Sequence, residues 1–327
     1  MKIIIPGGTG QLGQVLRAEF ERSGDEVVVL TRHPKEPGEF FWDGRTPADW
    51  VREIDGADVV INLAGRTVNC RYTKQNLQQM MDSRVDSTRA VGEAIRLAKN
   101  PPQLWLQMST ATLYAHRFDA ANNEATGVMG GNEPGVPGYW AYSVEIAKAW
   151  EREQELANVP KTRKVAMRTA MVMAPGKGGV FQVLHNMTRL GLGGSIGGGK
   201  QFVSWIHYSD FCKAVRFVIE HTDLSGAINF TSPNPLPQSD FMRALRRASH
   251  VPIGLPATKW MAEIGAFFLR TDTELLLKSR RVIPTRLTEA GFRFEFPDWS
   301  AAAENLVRVI PAHPSTALRA GAGIHAE

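Results

Sequence analysis

With 327 residues, 43% of them hydrophobic and 22% charged, the chain has the composition of a globular protein and the length for one large domain or a large and a small one. Two cysteines, Cys70 and Cys212, are too few for a disulfide framework or a four-ligand zinc site, and no apolar run approaches the roughly 20 residues that span a bilayer. The net charge of +5 and a pI near 9.3 arise from scattered Lys and Arg with no run of five, so a solvated basic surface is expected rather than a nucleic-acid or membrane partner. A reducing, cytoplasmic setting and no metal are expected; the eight histidines show no ligand spacing such as H-E-x-x-H, and the oligomeric state is not legible.

In chain order, Lys2–Ile5 reads as a short buried strand and not as the start of a signal peptide, because a Gly-rich turn follows three isoleucines at once. An amphipathic helix is expected over Gln11–Ser23, strands over Glu26–Leu30 and Asp58–Leu63, and a long helical stretch within Thr73–Asn100. A strand over Gln103–Met108 precedes an irregular Gly/Asn-rich stretch to Gly138, then a helix over Ala141–Ala157 and a strand over Lys164–Met173. Strands alternating with helices imply βαβ units, a parallel sheet and helices on both faces.

From about Pro175 the texture changes. GKGGV and GLGGSIGGGK read as loops and FVSWIHY as a short strand, with Ser209 or Asp210 as the N-cap of a following helix. Ala227–Thr231 is a further strand, SPNPLPQSD a connector, and the chain is mostly helical from Phe241. The expected division is a nucleotide-binding domain over 1–175, a smaller substrate-side region over 176–310 and a disordered tail over 311–327.

The most informative motif is Gly7-Gly8-Thr9-Gly10-Gln11-Leu12-Gly13, between the first strand and the first helix. Glycines at 7, 10 and 13 allow a tight turn, close approach of backbone to a pyrophosphate, and close helix–strand packing; the helix N-terminus then offers free N–H groups and a positive dipole end. Gly7, Gly10, Gln11, Leu12 and Gly13 are therefore expected to hold a dinucleotide, with Ala64 and Gly65 of Asn62-Leu63-Ala64-Gly65 flanking it at the end of the third strand. Where NAD-preferring sites place an acid, this chain has Thr31-Arg32-His33. Arg32 has the sign and the fork of donors to grip a 2′-phosphate, so the expected cofactor is NADP(H), with NAD(H) second. The fold class that follows is α/β, a Rossmann-type doubly wound parallel sheet with a smaller, mostly helical C-terminal region on the substrate side.

Further segments carry a resemblance. AGRTVNCRYT, SRVDSTR, RTAMVMAPGKGGV, LGLGGSIGGGKQFVSWIHYSDF, NFTSPNP and PTRLTEAGFRF, with the glycine turn, resemble the atypical extended short-chain dehydrogenase/reductases known as epimerase family proteins, over about residues 1–300. That group ends in a small C-terminal domain of unknown function and implies no particular substrate.

Catalytic members of the superfamily use a Tyr-x-x-x-Lys pair on one helix face and a Ser or Thr at a strand end. Here the fourth residues after Tyr72, Tyr114, Tyr139, Tyr142 and Tyr208 are Asn76, Phe118, Ser143, Ile146 and Cys212, and alignment through Trp150-Glu151 puts the pair at Ser143 and Ala147. The pair is absent. The resemblance keeps Thr110, in Met108–Tyr114, at the Ser/Thr position, and Tyr142 is a substitute proton carrier or a core-rim tyrosine. Arg66, Arg71, Arg84 and Lys200 are candidate contacts for an anionic substrate; each is equally readable as a solvated or locally paired cation. The G-S-I-G-G-G-K run at Gly194–Lys200 lacks the following Ser/Thr and helix of an ATP-binding loop and is expected to line a substrate cleft. His207 is expected to be a packing residue at a strand end, with Asp210 capping a helix. Two functions stay open: an NADP(H)-dependent oxidoreductase or epimerase-like enzyme on a small, anionic molecule, and a non-catalytic NADP(H)-binding module acting through a protein partner.

Overall fold

The computed structural model describes residues 1–68, 70–176, 179–258 and 274–309. The expected tail over 311–327 and part of the helical stretch expected after Phe241 lie outside the described residues.

The chain runs β1 (Lys2–Pro6), α1 (Gln11–Arg22), β2 (Glu26–Thr31), β3 (Glu39–Phe41), α2 (Val51–Ile54), β4 (Val59–Asn62), α3 (Lys74–Leu97), β5 (Leu104–Thr110), α4 (Trp140–Leu156) and β6 (Arg163–Thr169). It continues through β7 (Met171–Met173), α5 (Val180–Arg189), β8 (Phe202–Val203), β9 (Trp205–His207), α6 (Tyr208–Glu220), β10 (Gly226–Phe230), β11 (Leu236–Pro237) and α7 (Gln238–Ala248). Helices at Glu274–Leu277, Thr285–Glu289 and Trp299–Val309 follow.

Seven strands form one sheet in the order β10-β6-β5-β4-β1-β2-β3, every pair parallel. The strands are runs of Ile and Val because both faces are covered. Ile3 and Ile5 join Leu16, Phe20, Phe211 and Val218 beneath α1 and α6. Ile4, one residue out of phase, joins Val91, Ala94 and Ile95 of α3 with Trp42, Trp50 and Trp105 on the opposite face. From β1 the chain winds outward through β2 and β3, then crosses to β4 and winds the other way. That reversal opens a crevice beyond the carboxyl ends of β1 and β4, where such sheets bind ligands.

Two expectations need correction, and one helix was not anticipated. The strand expected over Lys164–Met173 is two: β6 ends at Thr169, the Ala170 N–H donates to the Phe230 carbonyl at 3.0 Å, and β7 leaves the sheet to pair with β9. Helix α5 was hidden because glycine runs flank its ten residues. The N-cap of α6 is His207, not Ser209 or Asp210: its Nδ1 accepts from the Ser209 N–H. Asp210 is fully buried and instead accepts the N–H groups of Glu295 and Phe296 at 2.8 and 2.9 Å. Burial pushes its carboxyl up, against those two donors. After Gly197–Gly199, all with positive φ, the chain enters β8, as expected of a run that is no ATP loop.

His207 is 1% exposed and lies 4.0 Å from the Phe296 ring, and burial holds its imidazole down at about 4. An unfolded histidine titrates near 6.5, so below that the unfolded chain takes up more protons than the folded one. Stability is therefore full above pH ~6.5 and falls as pH drops towards ~4, by on the order of 2–3 kcal/mol from this group. Urea titrations at pH 7.5 and 4.5 check this: His207→Asn, which keeps a capping acceptor, is expected to flatten that part of the pH dependence.

Candidate active site

Gly7 is the pivot of the turn after β1, with φ of +77°. A Cβ there would stand 2.8 Å from the Ala64 backbone, so the turn packs directly on the end of β4. Gly13 closes the other side: its Cβ would lie 2.3 Å from the Gly8 carbonyl oxygen. Helix α1 begins at Gly10 with no capping side chain and no acid in its first turn. The leading N–H groups of a helix have no partners within it, so this turn offers an anion open amides free of side chains.

The cofactor candidates divide by role. Gly7, Gly10 and Gly13 shape the turn. Leu12 packs its side chain into the core cluster and has only its backbone to offer. Gln11 reaches away: its Nε2 donates to the Pro175 carbonyl at 3.4 Å and fills the space beside Gly179. Thr9 and Thr31 hydroxyls lie 3.2 Å apart and tie the turn to the end of β2. The next residue, Arg32, is exposed and hydrogen-bonds no described residue. Ala64 accepts the Gly7 turn against its backbone, and Gly65 lies over the Arg84 side chain.

Beside this turn, at the carboxyl ends of β5 and β6, is a cleft of about 270 Å³. Ser143, Ile146, Ala147 and Trp150 of α4 line it, spaced i, i+3, i+4 and i+7 along one helix face. That phase explains where the tyrosine candidate goes: Tyr142, one residue off the face, packs against Leu77, Met80 and Ile146 and is not part of the lining. Thr110 does line the cleft, and its Oγ1 accepts from the Thr112 N–H at 3.2 Å, leaving the hydroxyl proton to donate elsewhere.

The four basic candidates do not converge. Arg84 lines the cleft, but Arg66 donates to Asn76 Oδ1 at 2.8 Å, and Arg71 is exposed outside the lining. Lys200, expected to line the same cleft, belongs to a second hollow of about 360 Å³ with His116, Trp140 and Leu277.

The C-terminal segment supplies groups that no local pattern announced. Glu274 and Arg280 line the cleft. Ser143 Oγ donates to Glu274 Oε2 at 2.6 Å, and Lys278 Nζ lies 3.4 Å from Glu274 Oε1, with both of those charged side chains 1% exposed. Lys278 also donates to the Thr112 carbonyl, and Arg280 Nε to Thr112 Oγ1. Ser143, aligned with the missing tyrosine, thus carries a hydroxyl joined to a buried carboxylate. Behind it, Ser109 donates to Glu151 at 2.6 Å, Arg168 grips Glu151 through two nitrogens, and Arg168 Nη1 bonds Tyr114 Oη, which donates to Asn229.

A parallel doubly wound sheet, a glycine turn at its switch point and an adjoining cleft define a dinucleotide-binding α/β protein. The chain belongs to the NAD dependent epimerase/dehydratase family, whose profile matches residues 3–230, while that of a domain of unknown function (DUF1731) matches residues 257–306. The family resemblance read from the motifs holds. The epimerase family protein SDR39U1 of Bos taurus is 30% identical over 311 residues, 94% of this chain and 100% of that one. The human epimerase family protein SDR39U1 (isoform 2), solved with NADPH, superposes with a TM-score of 0.83 at 26% identity over 95% of this chain and 100% of that one. UDP-N-acetylglucosamine 4-epimerase from Bacillus cereus, at 16% identity and a TM-score of 0.73 over 95% of this chain and 100% of that one, shares the fold. No helix among the described residues is long and apolar enough to cross a membrane.

Proposed function

We propose that the chain is an NADP(H)-dependent oxidoreductase, or an epimerase working through the same step, acting on a small molecule in the cleft. The observation that carries it is the turn at Gly7–Gly13: backbone-to-backbone packing at Gly7 and Gly13 leaves room for a pyrophosphate against open amides, with the exposed Arg32 one residue beyond the tie to β2. The solved human relative contains NADPH, in keeping with Arg32 standing where an acid would select NAD. Bound NADP(H) would supply or take up hydride.

The protein's own groups then have to hold a substrate oxygen and handle its proton. Thr110 and Ser143 offer hydroxyls on the cleft wall, and Ser143 Oγ already donates to Glu274. A proton leaving a substrate hydroxyl passes to Ser143 Oγ as the Oγ proton passes to the Glu274 carboxylate, and the reverse occurs on reduction. The reading places the protein in a reducing cytoplasm, consistent with its two free cysteines. A module that only binds cofactor has no need of a cleft lined with buried charged groups, and Glu274 and Arg280 favour the enzyme.

Calorimetric titration with NADPH and NADH tests the cofactor reading. Wild type is expected to prefer NADPH, and Arg32→Asp to lose that preference through a fall in NADPH affinity of roughly 10–100-fold, the worth of a charge-assisted pair. Absence of binding by both nucleotides would overturn the proposal.

A further inference from the structure

We infer that the cleft takes a small organic anion and that Arg84 is the residue that receives its carboxylate or phosphate. This deepens the oxidoreductase reading, resting on the cleft as its substrate site.

Arg84 lies in the middle of α3 and is 9% exposed, yet it lines the cleft. Its guanidinium is wedged between two surfaces: Cζ lies 4.8 Å from the Trp150 ring centre, and 3.4 Å from where a Gly65 Cβ would stand. Nη1 donates to the Met80 carbonyl at 3.0 Å. Nε and Nη2 find no acceptor, and no carboxylate pairs with Arg84, among the described residues. Arg168, the comparably placed arginine behind the cleft, is gripped by Glu151.

A buried charge without a partner is among the costliest groups a fold can hold. A methionine would cover Trp150 and Gly65 without that cost. Burial pulls the guanidinium down to about 10, so it is still charged at neutral pH. What the fold leaves unpaired is an adjacent pair of donors, the Nε/Nη2 edge, matched in spacing to two oxygens of one carboxylate or phosphate. The surroundings agree. Among the described residues that line the cleft, two arginines, Arg84 and Arg280, stand against one carboxylate, Glu274, which Lys278 also approaches at 3.4 Å. Met80, Met108, Ile146 and Met171 give the rest of the wall an apolar part, suited to a short apolar body behind the charged end. At about 270 Å³ the cleft admits a small molecule only.

The other source of this chemistry is the cofactor's own phosphate. Gly65, against which Arg84 rests, follows β4, one strand across from the Gly7 turn, whereas the rest of the cleft opens over β5 and β6. Position favours a second molecule.

The experiment saturates the full-length protein with NADP⁺ and titrates it with oxamate and, separately, inorganic phosphate, for wild type, Arg84→Met and Arg84→Lys. At least one anion is expected to bind wild type, to lose roughly 30-fold or more in affinity with Arg84→Met, and to be partly retained by Arg84→Lys. NADPH affinity of Arg84→Met should stay within about twofold of wild type, and its Tm should equal or exceed that of wild type, because an unpaired buried charge has been removed. Uptake of neither anion by wild type, or equal uptake by Arg84→Met, overturns the inference. A fall in NADPH affinity in Arg84→Met with no anion binding reassigns Arg84 to the cofactor and also overturns it. If wild type binds no nucleotide, the oxidoreductase reading falls by itself, and the same anion titrations on the nucleotide-free protein still decide Arg84.

Discussion

Gly13→Ala is expected to reduce NADPH affinity by about 100-fold, close to 3 kcal/mol. The new methyl group would fall 2.3 Å from the Gly8 carbonyl oxygen and 2.4 Å from the Gly8 Cα. Both are backbone atoms of the turn, so no side chain can rotate away. Relief requires α1 to move off the turn, and its first-turn amides move with it. Overpacking of this kind costs about 1–3 kcal/mol of stability as well, so urea unfolding should shift in the same variant. Gly138→Ala is the control: nothing lies within 4 Å of its Cβ position and its φ is not positive, so both readouts should match wild type. NADPH binding by Gly13→Ala at wild-type strength would sink the assignment of this turn as the phosphate site.

Arg168→Met is expected to destabilise the fold by about 3–5 kcal/mol, the usual effect of breaking a buried ion pair from one side. Arg168 and Glu151 side chains are 10% and 17% exposed, with contacts of 2.8 and 2.9 Å. Burial opposes the Arg168 charge, and the Glu151 carboxylate more than offsets this, holding the guanidinium above its ordinary value. Without it, among the described residues Glu151 keeps only Ser109 as a side-chain donor, and Tyr114 keeps Asn229 but loses Arg168. The network joins α4 to β5, β6 and β10 directly behind the cleft wall, so Thr110 and Ser143 should lose their fixed places too. Chemical denaturation of the two proteins checks the magnitude; a loss below about 1 kcal/mol would mean that the pair behaves as a surface one.

The contrast between Gly13 and Arg168 also marks how far local pattern reaches. The turn at Gly7 and its packing against the chain after β4 were legible because this is a short-range device, in which a few neighbouring residues must adopt one backbone path. His207 as a packing residue is legible from its apolar neighbours, but the cap of the helix that follows reads as Ser209 or Asp210, because the loop that recruits Asp210 comes from residues 295–296. The break at Ala170 was invisible for a similar reason. Lys164–Met173 carries no glycine, proline or other turn signal, and only the neighbour each half finds, β5 and β10 or β9, separates them.

The sequence by itself determined the parallel doubly wound sheet, the glycine turn after its first strand, the family and the absence of the Tyr-x-x-x-Lys spacing, since each rests on periodicity or on residues within one turn of each other. Tertiary structure alone decided the cleft. Phase along α4 turned Ser143 inward and Tyr142 aside; Glu274, 131 residues distant from Ser143, came to its hydroxyl; and of four basic candidates only Arg84 reached the cavity wall. Buried charges act over a few ångströms once water is excluded, so what they do is set by which distant segments the fold brings against them, and spacing along the chain carries no trace of that.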